Sequence, residues 1–541
     1  MKDLWYHNAI IYALDVETYM DSNGNGIGDF EGLVEKLDYL SGLGVNCLWL
    51  RPFFPSPLVD DGYDVKDYYN VDQRFGNLGD FVNFTTKATT YGIRVIIDLV
   101  ANHTSDQHEW FQQARMDVNS KYRNYYIWAD KPLEEYKQEN ILKEEGIWHF
   151  DKQAGAYYLH HFYKEQPDLN ISNPEVRKEI KKIMGFWLKL GISGFRIDAA
   201  HILIREIGNE KINTAKVLDV LDEMREFINS RNSEAVLLAE ANVKVDELHL
   251  FFGNGKRMHL LFDFITNKNL FLAMAREDPQ PLISALNNIR GISGQWVNFL
   301  RHHDELNLEM LEESQRNEVF EAFAPEQDMR IYGHGIRRRL PPMLNGDRKK
   351  MELIYSVMFS LPGIPLINYG EEIAMGDDLS QKGRSSVRTI MQWDNLKNSG
   401  FSKAPALMLE HSLIDFGEFD YKKINVNEQQ NNPDSFLNWM QRLISTRKQC
   451  PQLGYGQWRV LESDTKSVFS FYCEYEKDRI VLLHNFKGVK CDIKLDGSVK
   501  KFENLIEIFS NRKYPTIETL NAPISIDEYG YRWFKCNAGF E

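Results

Sequence analysis

The chain has 541 residues, 43% hydrophobic and 26% charged, which is the balance of a folded chain that buries a sizeable core. Its net charge of −14 excludes nucleic acid as a partner, because phosphate binding needs clustered Lys and Arg. Five cysteines, Cys47, Cys450, Cys473, Cys491 and Cys536, with no Cys-x-x-Cys spacing, exclude a disulfide framework and point to free thiols in a reducing compartment.

The N-terminus, Met1-Lys-Asp-Leu-Trp-Tyr-His, has no apolar signal core, and no apolar run reaches membrane-spanning length. A soluble cytoplasmic protein without membrane contact is expected. Short β-branched runs then alternate with helical patterns. Strands are predicted over 10–16, 45–50 and 94–99, and helices over Phe30–Leu43 and Asp80–Tyr91. The rhythm breaks between His103 and Asp168, a stretch that reads as an insertion after the third strand. It resumes with a helix over 175–190, opened by Asn173 and Pro174 in the N-cap and N1 positions. Strands follow over 194–198, 235–239, 259–263, 296–300 and 364–367. Further helices follow over 214–229, 348–360 and 435–448. Eight strands with helices between them predict a (β/α)₈ TIM barrel. The run Gly335-Ile-Arg-Arg-Arg-Leu340 reads as a solvated or ion-paired loop. From about Trp458 the pattern alternates and predicts an antiparallel β-sandwich. The expected domains are a barrel over 1–103 and 169–450, an inserted domain over 104–168, and a C-terminal sandwich over 451–541.

Catalytic groups of a TIM barrel sit where its strands end. The third strand runs into Asp98 and His103, the fourth ends in Arg196 and Asp198, the fifth in Glu240, and the seventh in His303 and Asp304. Several convergent carboxylates, with no cofactor motif beside them, suit glycoside hydrolysis. One carboxylate attacks the anomeric carbon while the other protonates the leaving oxygen. Asp198 and Glu240 close neighbouring strands, which suits the retaining spacing of about 5–5.5 Å. Arg196, two residues before Asp198, points to the same side and keeps it ionised. The loop Asp21-Ser-Asn23-Gly-Asn25-Gly-Ile27-Gly-Asp29 places oxygen ligands at EF-hand-like spacing. Gly32 stands where a bidentate Glu is needed, so a full EF-hand is excluded.

The segments Asp98–His103, Gly194–Asp198, Ala239–Asn242 and His303-Asp304 resemble, in order, the motifs of the α-amylase family, glycoside hydrolase family thirteen. Gln166-Pro-Asp-Leu-Asn170 resembles a motif of its oligo-1,6-glucosidase and trehalose synthase branch, and the likeness runs from Trp5 to about Phe534. The resemblance implies Asp198 as nucleophile, Glu240 as general acid/base, and Asp304 as the group holding sugar hydroxyls. It implies Tyr63, Asp98, His103, Phe162, Arg196 and His303 as the lining of the glucose subsite, with Asp60 and Arg388 closing it behind the non-reducing end. It also implies one structural Ca²⁺ held by Asp21, Asn23, Asn25, Ile27 and Asp29, and no organic cofactor. The expected substrate is a small carbohydrate, and the expected reaction is rearrangement of maltose to trehalose with some hydrolysis. The alternatives are an exo-acting α-glucosidase and, in another class, a non-catalytic carbohydrate-binding protein on the same fold. The sequence departs from the branch at His302 (usually Asn), Ile390 (usually Pro), Ala13 (commonly Gln) and in the segment after Asp198.

Overall fold

Eight short, almost wholly buried strands organise the chain. They are β1 (Ile11–Leu14), β2 (Cys47–Leu50), β3 (Arg94–Leu99), β4 (Gly194–Ile197), β5 (Val236–Ala239), β6 (Leu260–Phe262), β7 (Gln295–Asn298) and β8 (Ile364–Asn368). In the computed structural model, which describes residues 4–132, 146–204, 214–495, 502–517 and 522–538, they form a closed barrel and follow one another around it in sequence order. Both faces of a parallel barrel strand are covered, so these strands read as continuous apolar runs and not as alternating ones. The expected TIM barrel is therefore the observed fold.

Helix ends follow local chemistry. The Asn173 side chain accepts the Glu175 N–H at 3.0 Å and opens the helix Pro174–Lys189. Asn77 and Asp80 form a reciprocal capping box for Leu78–Thr90. Asp347 caps Arg348–Ser360 and Ser435 caps Phe436–Lys448. The single helix predicted over Phe30–Leu43 is instead two, Phe30–Glu35 and Leu37–Leu43. The break falls at Lys36, whose N–H turns back three residues to the Leu33 carbonyl at 3.1 Å and tightens the last turn.

The chain divides into two compact units. One comprises residues 13–38 and 47–262. Its aromatic core packs Phe30, Phe53, Phe81 and Trp187 edge to face, with ring centroids 5.0–5.3 Å apart. Within it the expected insertion after β3 carries a three-stranded antiparallel sheet of Trp128–Ala129, Ala156–Leu159 and Trp148–Asp151. Isolated bridges His103↔Asp168 and Tyr126↔Leu169 pin that insertion to the end of β3.

The other unit comprises residues 1–12, 39–46 and 263–541. Its C-terminal part is a five-stranded antiparallel sheet, in the order Gln457–Leu461, Val468–Tyr475, Asp478–Asn485, Tyr531–Ala538, Phe502–Ser510. A small two-stranded sheet of Cys491–Ile493 and Ile524–Ile526 accompanies it. The large sheet is tied to the helix Arg348–Ser360 through Ser356, which accepts from Trp533 Nε1 at 2.9 Å and lies 3.0 Å from His484 Nε2. The arginine run is ion-paired, one of the two alternatives expected, and its last arginine lies deeper than a surface loop would place it. Arg339 is buried and donates to the Tyr369 carbonyl at 2.7 Å, while Arg338 pairs with Asp377 at 3.4 Å. These arginines act as internal struts that satisfy buried carbonyls and carboxylates. All five cysteines are free thiols. Among the described residues no helix is long and apolar enough to cross a membrane.

Candidate active site

β3 and β4 pair in parallel with Asp98 opposite Arg196, so the two side chains share a face. The ladder continues one rung past the strands, because Asp198 donates its N–H to Leu99 O at 3.2 Å and Glu240 donates to Ile197 O at 3.1 Å. Backbone pairing alone thus sets Asp198 and Glu240 side by side at the strand ends. Close packing of β4 on β5 makes this possible. A Cβ on Gly194 would stand 2.3 Å from the Val236 carbonyl, so a larger residue would push β4 away from β5.

One guanidinium gathers three carboxylates. Arg196 Nη1 lies 2.5 Å from Asp98 Oδ1 and 2.7 Å from Asp198 Oδ1, and Nη2 lies 2.7 Å from Glu240 Oε2. Trp49 Nε1 donates to the second Asp98 oxygen at 2.9 Å, and the guanidinium lies 5.2 Å from the Trp49 ring centroid. Burial alone would lower the Arg196 pKa. The carboxylates Asp98 and Glu240, with Tyr63 and Asp198, outweigh it and hold the pKa well above its ordinary range. Burial pushes Asp98 the other way, up to about 6, against the pull of Arg196 and Trp49. Glu240 is steadied further by the Ala199 N–H, which donates to Oε2 at 3.1 Å. Ala199 sits in the left-handed region at φ 43°, ψ 42°. Such a conformation costs a non-glycine residue about 1–2 kcal/mol. It turns the chain sharply after Asp198 and aims that N–H at Glu240.

Tyr63 joins this cluster to the rest of the predicted subsite. Its hydroxyl lies 3.4 Å from both Asp98 Oδ2 and Arg196 Nη1, and its carbonyl lies 3.2 Å from His103 Nε2. Burial lowers the His103 pKa, so the ring is neutral at pH 7. Phe162 packs against the His103 ring at 5.0 Å between centroids. Gln166, from the motif read in sequence, sits 3.1 Å from His103 Nε2 and donates to Asp60 Oδ2 at 3.2 Å. Asp168 accepts from Asn102 Nδ2 at 3.1 Å and contacts His161 Nδ1. Tyr63, Asp98, His103, Phe162, Arg196, Asp198, Glu240 and Asp60 therefore form one connected set. Trp49, which sequence reasoning did not single out, belongs to it through Asp98, and Gln166 and Asp168, read in sequence only as part of a motif, belong to it through His103, Asp60 and Asn102.

Within the other unit, Asp304 is clasped from several sides. Arg384 Nη1 and Arg388 Nη2 reach Oδ1 at 2.6 and 2.9 Å, and His303 Nε2 reaches Oδ2 at 3.1 Å. Arg388 Nε also donates to the His303 carbonyl at 3.0 Å. Arg384 was not foreseen, since nothing around Lys382-Gly383-Arg384 marks it. His302 Nδ1 accepts the Asp304 N–H at 3.0 Å, the i-to-i+2 bond that an Asn side chain also makes. Ile390 is buried and donates its N–H to Ser412 O at 2.9 Å, a bond proline cannot make. Both departures from the branch thus keep the local backbone in place. The departure after Asp198 includes residues 205–213, which lie outside the described residues. Asp60 bonds to Gln166 and Arg388 to Asp304, each with a partner inside its own unit.

The loop 21–29 brings its predicted ligands into one turn. Asp21 and Asp29 are buried, and the donors they accept from include the Gly24, Gly26, Gly32 and Ser22 amides, the Ser22 hydroxyl and the Asn23 amide, all neutral. Asn23 Oδ1 and Asn25 Oδ1 accept the N–H two residues on, at 3.1 and 2.9 Å. Each of these oxygens keeps a further lone pair. Buried carboxylates amid hard oxygen donors fit a Ca²⁺ ion.

Two outcomes test this geometry. Asp198→Asn should abolish turnover of every glucoside. Glu240→Gln should cost about 10²-fold or more on maltose. It should largely spare glucosylation by glucosyl fluoride, whose leaving group needs no proton. Full activity of Glu240→Gln on maltose would overturn the assignment. The second outcome concerns pH. With Asp98 raised to about 6, the folded state holds a proton that the unfolded chain, near 3.9, has released. Its stabilising contribution is therefore complete below about pH 4 and lost as pH rises through 6. Activity runs in the opposite sense, because Arg196 needs the ionised Asp98. The value of kcat/KM with glucosyl fluoride should fall below about pH 6, and a profile flat from pH 7 to 5 would count against the role of Asp98.

Comparison with known proteins identifies the family. The sequence model of the α-amylase catalytic domain matches residues 14–456, and that of the maltogenic amylase C-terminal domain matches residues 458–533. The chain is 40% identical to a trehalose synthase of Thermus thermophilus over 96% of its own length, spanning 54% of that protein. It is 37% identical to trehalose synthase/amylase TreS of Mycolicibacterium smegmatis, covering 98% of this chain and 92% of that one. An oligo-1,6-glucosidase of Bacillus cereus is 28% identical, with 95% and 97% covered. Among solved structures, an α-amylase from H. orenii superposes with a TM-score of 0.80 at 28% identity, covering 98% of this chain and 99% of that one. The trehalulose synthase MutB, at 24% identity and a TM-score of 0.78 over 98% and 100% of the two chains, shares the fold. The chain belongs to the α-amylase family, as a retaining glycosidase or transglucosidase.

Proposed function

We propose that the protein interconverts maltose and trehalose by intramolecular transglucosylation, with hydrolysis as a side reaction. The observation that carries this reading is the 37% identity to a trehalose synthase over 98% of the chain, laid over an intact carboxylate cluster. In the first step an Asp198 oxygen bonds to the anomeric carbon of the non-reducing glucose. The glycosidic bond breaks, and Glu240 gives its proton to the departing oxygen. A glucosyl ester on Asp198 and a free glucose result. In the second step the anomeric hydroxyl of that glucose attacks the ester, Glu240 takes its proton back, and the Asp198 bond breaks. Two inversions give net retention. Asp304, fixed by Arg384, Arg388 and His303, holds sugar hydroxyls.

Water competes with glucose for the ester. Holding the acceptor gives an effective molarity of about 10⁵ M or more, ample against water at about 55 M. Maltose should therefore give trehalose as the main product and glucose as the minor one, and trehalose should return maltose. Labelled glucose added to the mixture should enter the disaccharides poorly. If chromatography finds only glucose at every temperature tried, the exo-α-glucosidase reading replaces this one.

We also propose that the loop Asp21–Asp29 binds one Ca²⁺, through Asp21, Asn23, Asn25, the Ile27 carbonyl and Asp29, and that the ion stabilises the fold without entering the chemistry. Binding to the folded state alone stabilises by mass action. A chelator should lower the melting temperature, and Asp21→Ala should remove that response. A melting curve unchanged by excess chelator would overturn the proposal.

A further inference from the structure

The edge strand Gln457–Leu461 of the C-terminal sheet borders a cavity of about 590 Å³. None of its lining residues belongs to the carboxylate cluster or to the Asp304 clasp. Its lining includes the rings of Tyr455, Trp458, Tyr472 and Tyr475. His7, Tyr455 and Tyr475 form a continuous stack, with centroids 4.6 Å apart at 13° and then 5.3 Å apart at 29°. Tyr475 ends that stack, is half-exposed and lines the cavity. Trp458, also half-exposed, stacks on Phe471 at 5.6 Å. Polar groups also line it, and among them Arg459 lies over the Tyr472 ring at 5.1 Å.

Charge and shape select the ligand. The two cations of the lining, Arg290 and Arg459, are balanced by Glu474 and Glu476. A balanced lining gives no net attraction for phosphates or other anions, and so favours a neutral molecule. Flat aromatic faces favour a molecule with flat apolar faces, and the donors and acceptors around them favour a ring of hydroxyls. A pyranose has both, since its C–H bonds form apolar faces and its hydroxyls point outward at the edge. The volume lies within the range of ordinary ligand sites and leaves room for more than one ring.

We propose that this cavity is a second carbohydrate site, which binds two or three α-linked glucose units without acting on them. The sugar continues the His7–Tyr455–Tyr475 stack, and a hydroxyl accepts from Arg459. The choice of α-glucose among pyranoses rests on the reading of the catalytic site above. The site anchors the enzyme on longer glucans.

The test is affinity electrophoresis of the full chain through gels with and without soluble starch, with maltotriose or cellotriose as soluble competitor. The wild type and Asp198→Asn should both be slowed by starch. Maltotriose should release them and cellotriose should not. Tyr475→Ala should weaken the apparent affinity about fivefold to tenfold, while Tyr475→Phe, which keeps the ring, should retain it. The value of kcat/KM for maltose should be unchanged in both Tyr475 variants, which also reports that they fold. If Tyr475→Ala is slowed as much as the wild type, or the wild type runs free in starch, the second site is wrong. Equal competition by cellotriose overturns the choice of α-glucose. If starch binding follows Tyr475 as described but maltose gives no trehalose, the catalytic reading fails and the second site stands.

Discussion

The site depends on one buried cation. Arg196 is 1% exposed, and three carboxylates meet it within 2.7 Å. Bringing three acids out of water is expensive, and a single guanidinium compensates only part of that cost. Asp98, the most buried of the three, is pushed up to about 6 by that burial, against the pull of the guanidinium. Lysine would be a poor substitute for Arg196, because its donors share one nitrogen and could not occupy the two separated positions from which Nη1 meets Asp98 and Asp198 and Nη2 meets Glu240.

The barrel serves that arrangement through its backbone. Asp98 and Arg196 are register partners, so their contact follows from strand pairing and not from side-chain search. Gly194 permits the close approach of β5, and with it the reach from Arg196 to Glu240. The left-handed Ala199 spends local stability to end the strand abruptly and to aim a backbone donor at Glu240. Trp49 fixes Asp98 from the other side. The groups that react are few, and most of the surrounding residues hold them in place.

What the sequence revealed and what it did not divide along a physical line. The strand Arg94–Leu99 and the helix Arg348–Ser360 were legible to the residue, because each is a run of local preference with a clear cap or turn at its ends. The strand-end carboxylates were legible because a barrel sends its strand ends to one rim. Trp49 and Arg384 were not, and Gln166 was legible as part of a motif but not as the partner of Asp60. Gln166 meets Asp60 across 106 positions and Arg384 meets Asp304 across 80, and no local pattern announces either pairing. The arginine run at 337–339 was legible as an ion-paired loop, whereas the burial of Arg339 against the distant Tyr369 carbonyl was not. The helix predicted over Phe30–Leu43 failed in the opposite way, since a continuous apolar period conceals the tightened turn at Lys36.

Hydrolysis and transfer share the first step, so the carboxylates alone do not decide between them. In the proposed mechanism Asp198 forms the same ester in either case, and Glu240 deprotonates water or a sugar hydroxyl by the same geometry. The decision belongs to whatever holds the acceptor while the ester lasts. His302 and Ile390 are unpromising as that determinant. His302 spends its Nδ1 on the Asp304 N–H, and Ile390 is wholly buried with its N–H on Ser412. Asp304 already takes Arg384 and Arg388 on one oxygen and His303 on the other, so any hydroxyl it accepts must join or displace contacts that are charge-assisted.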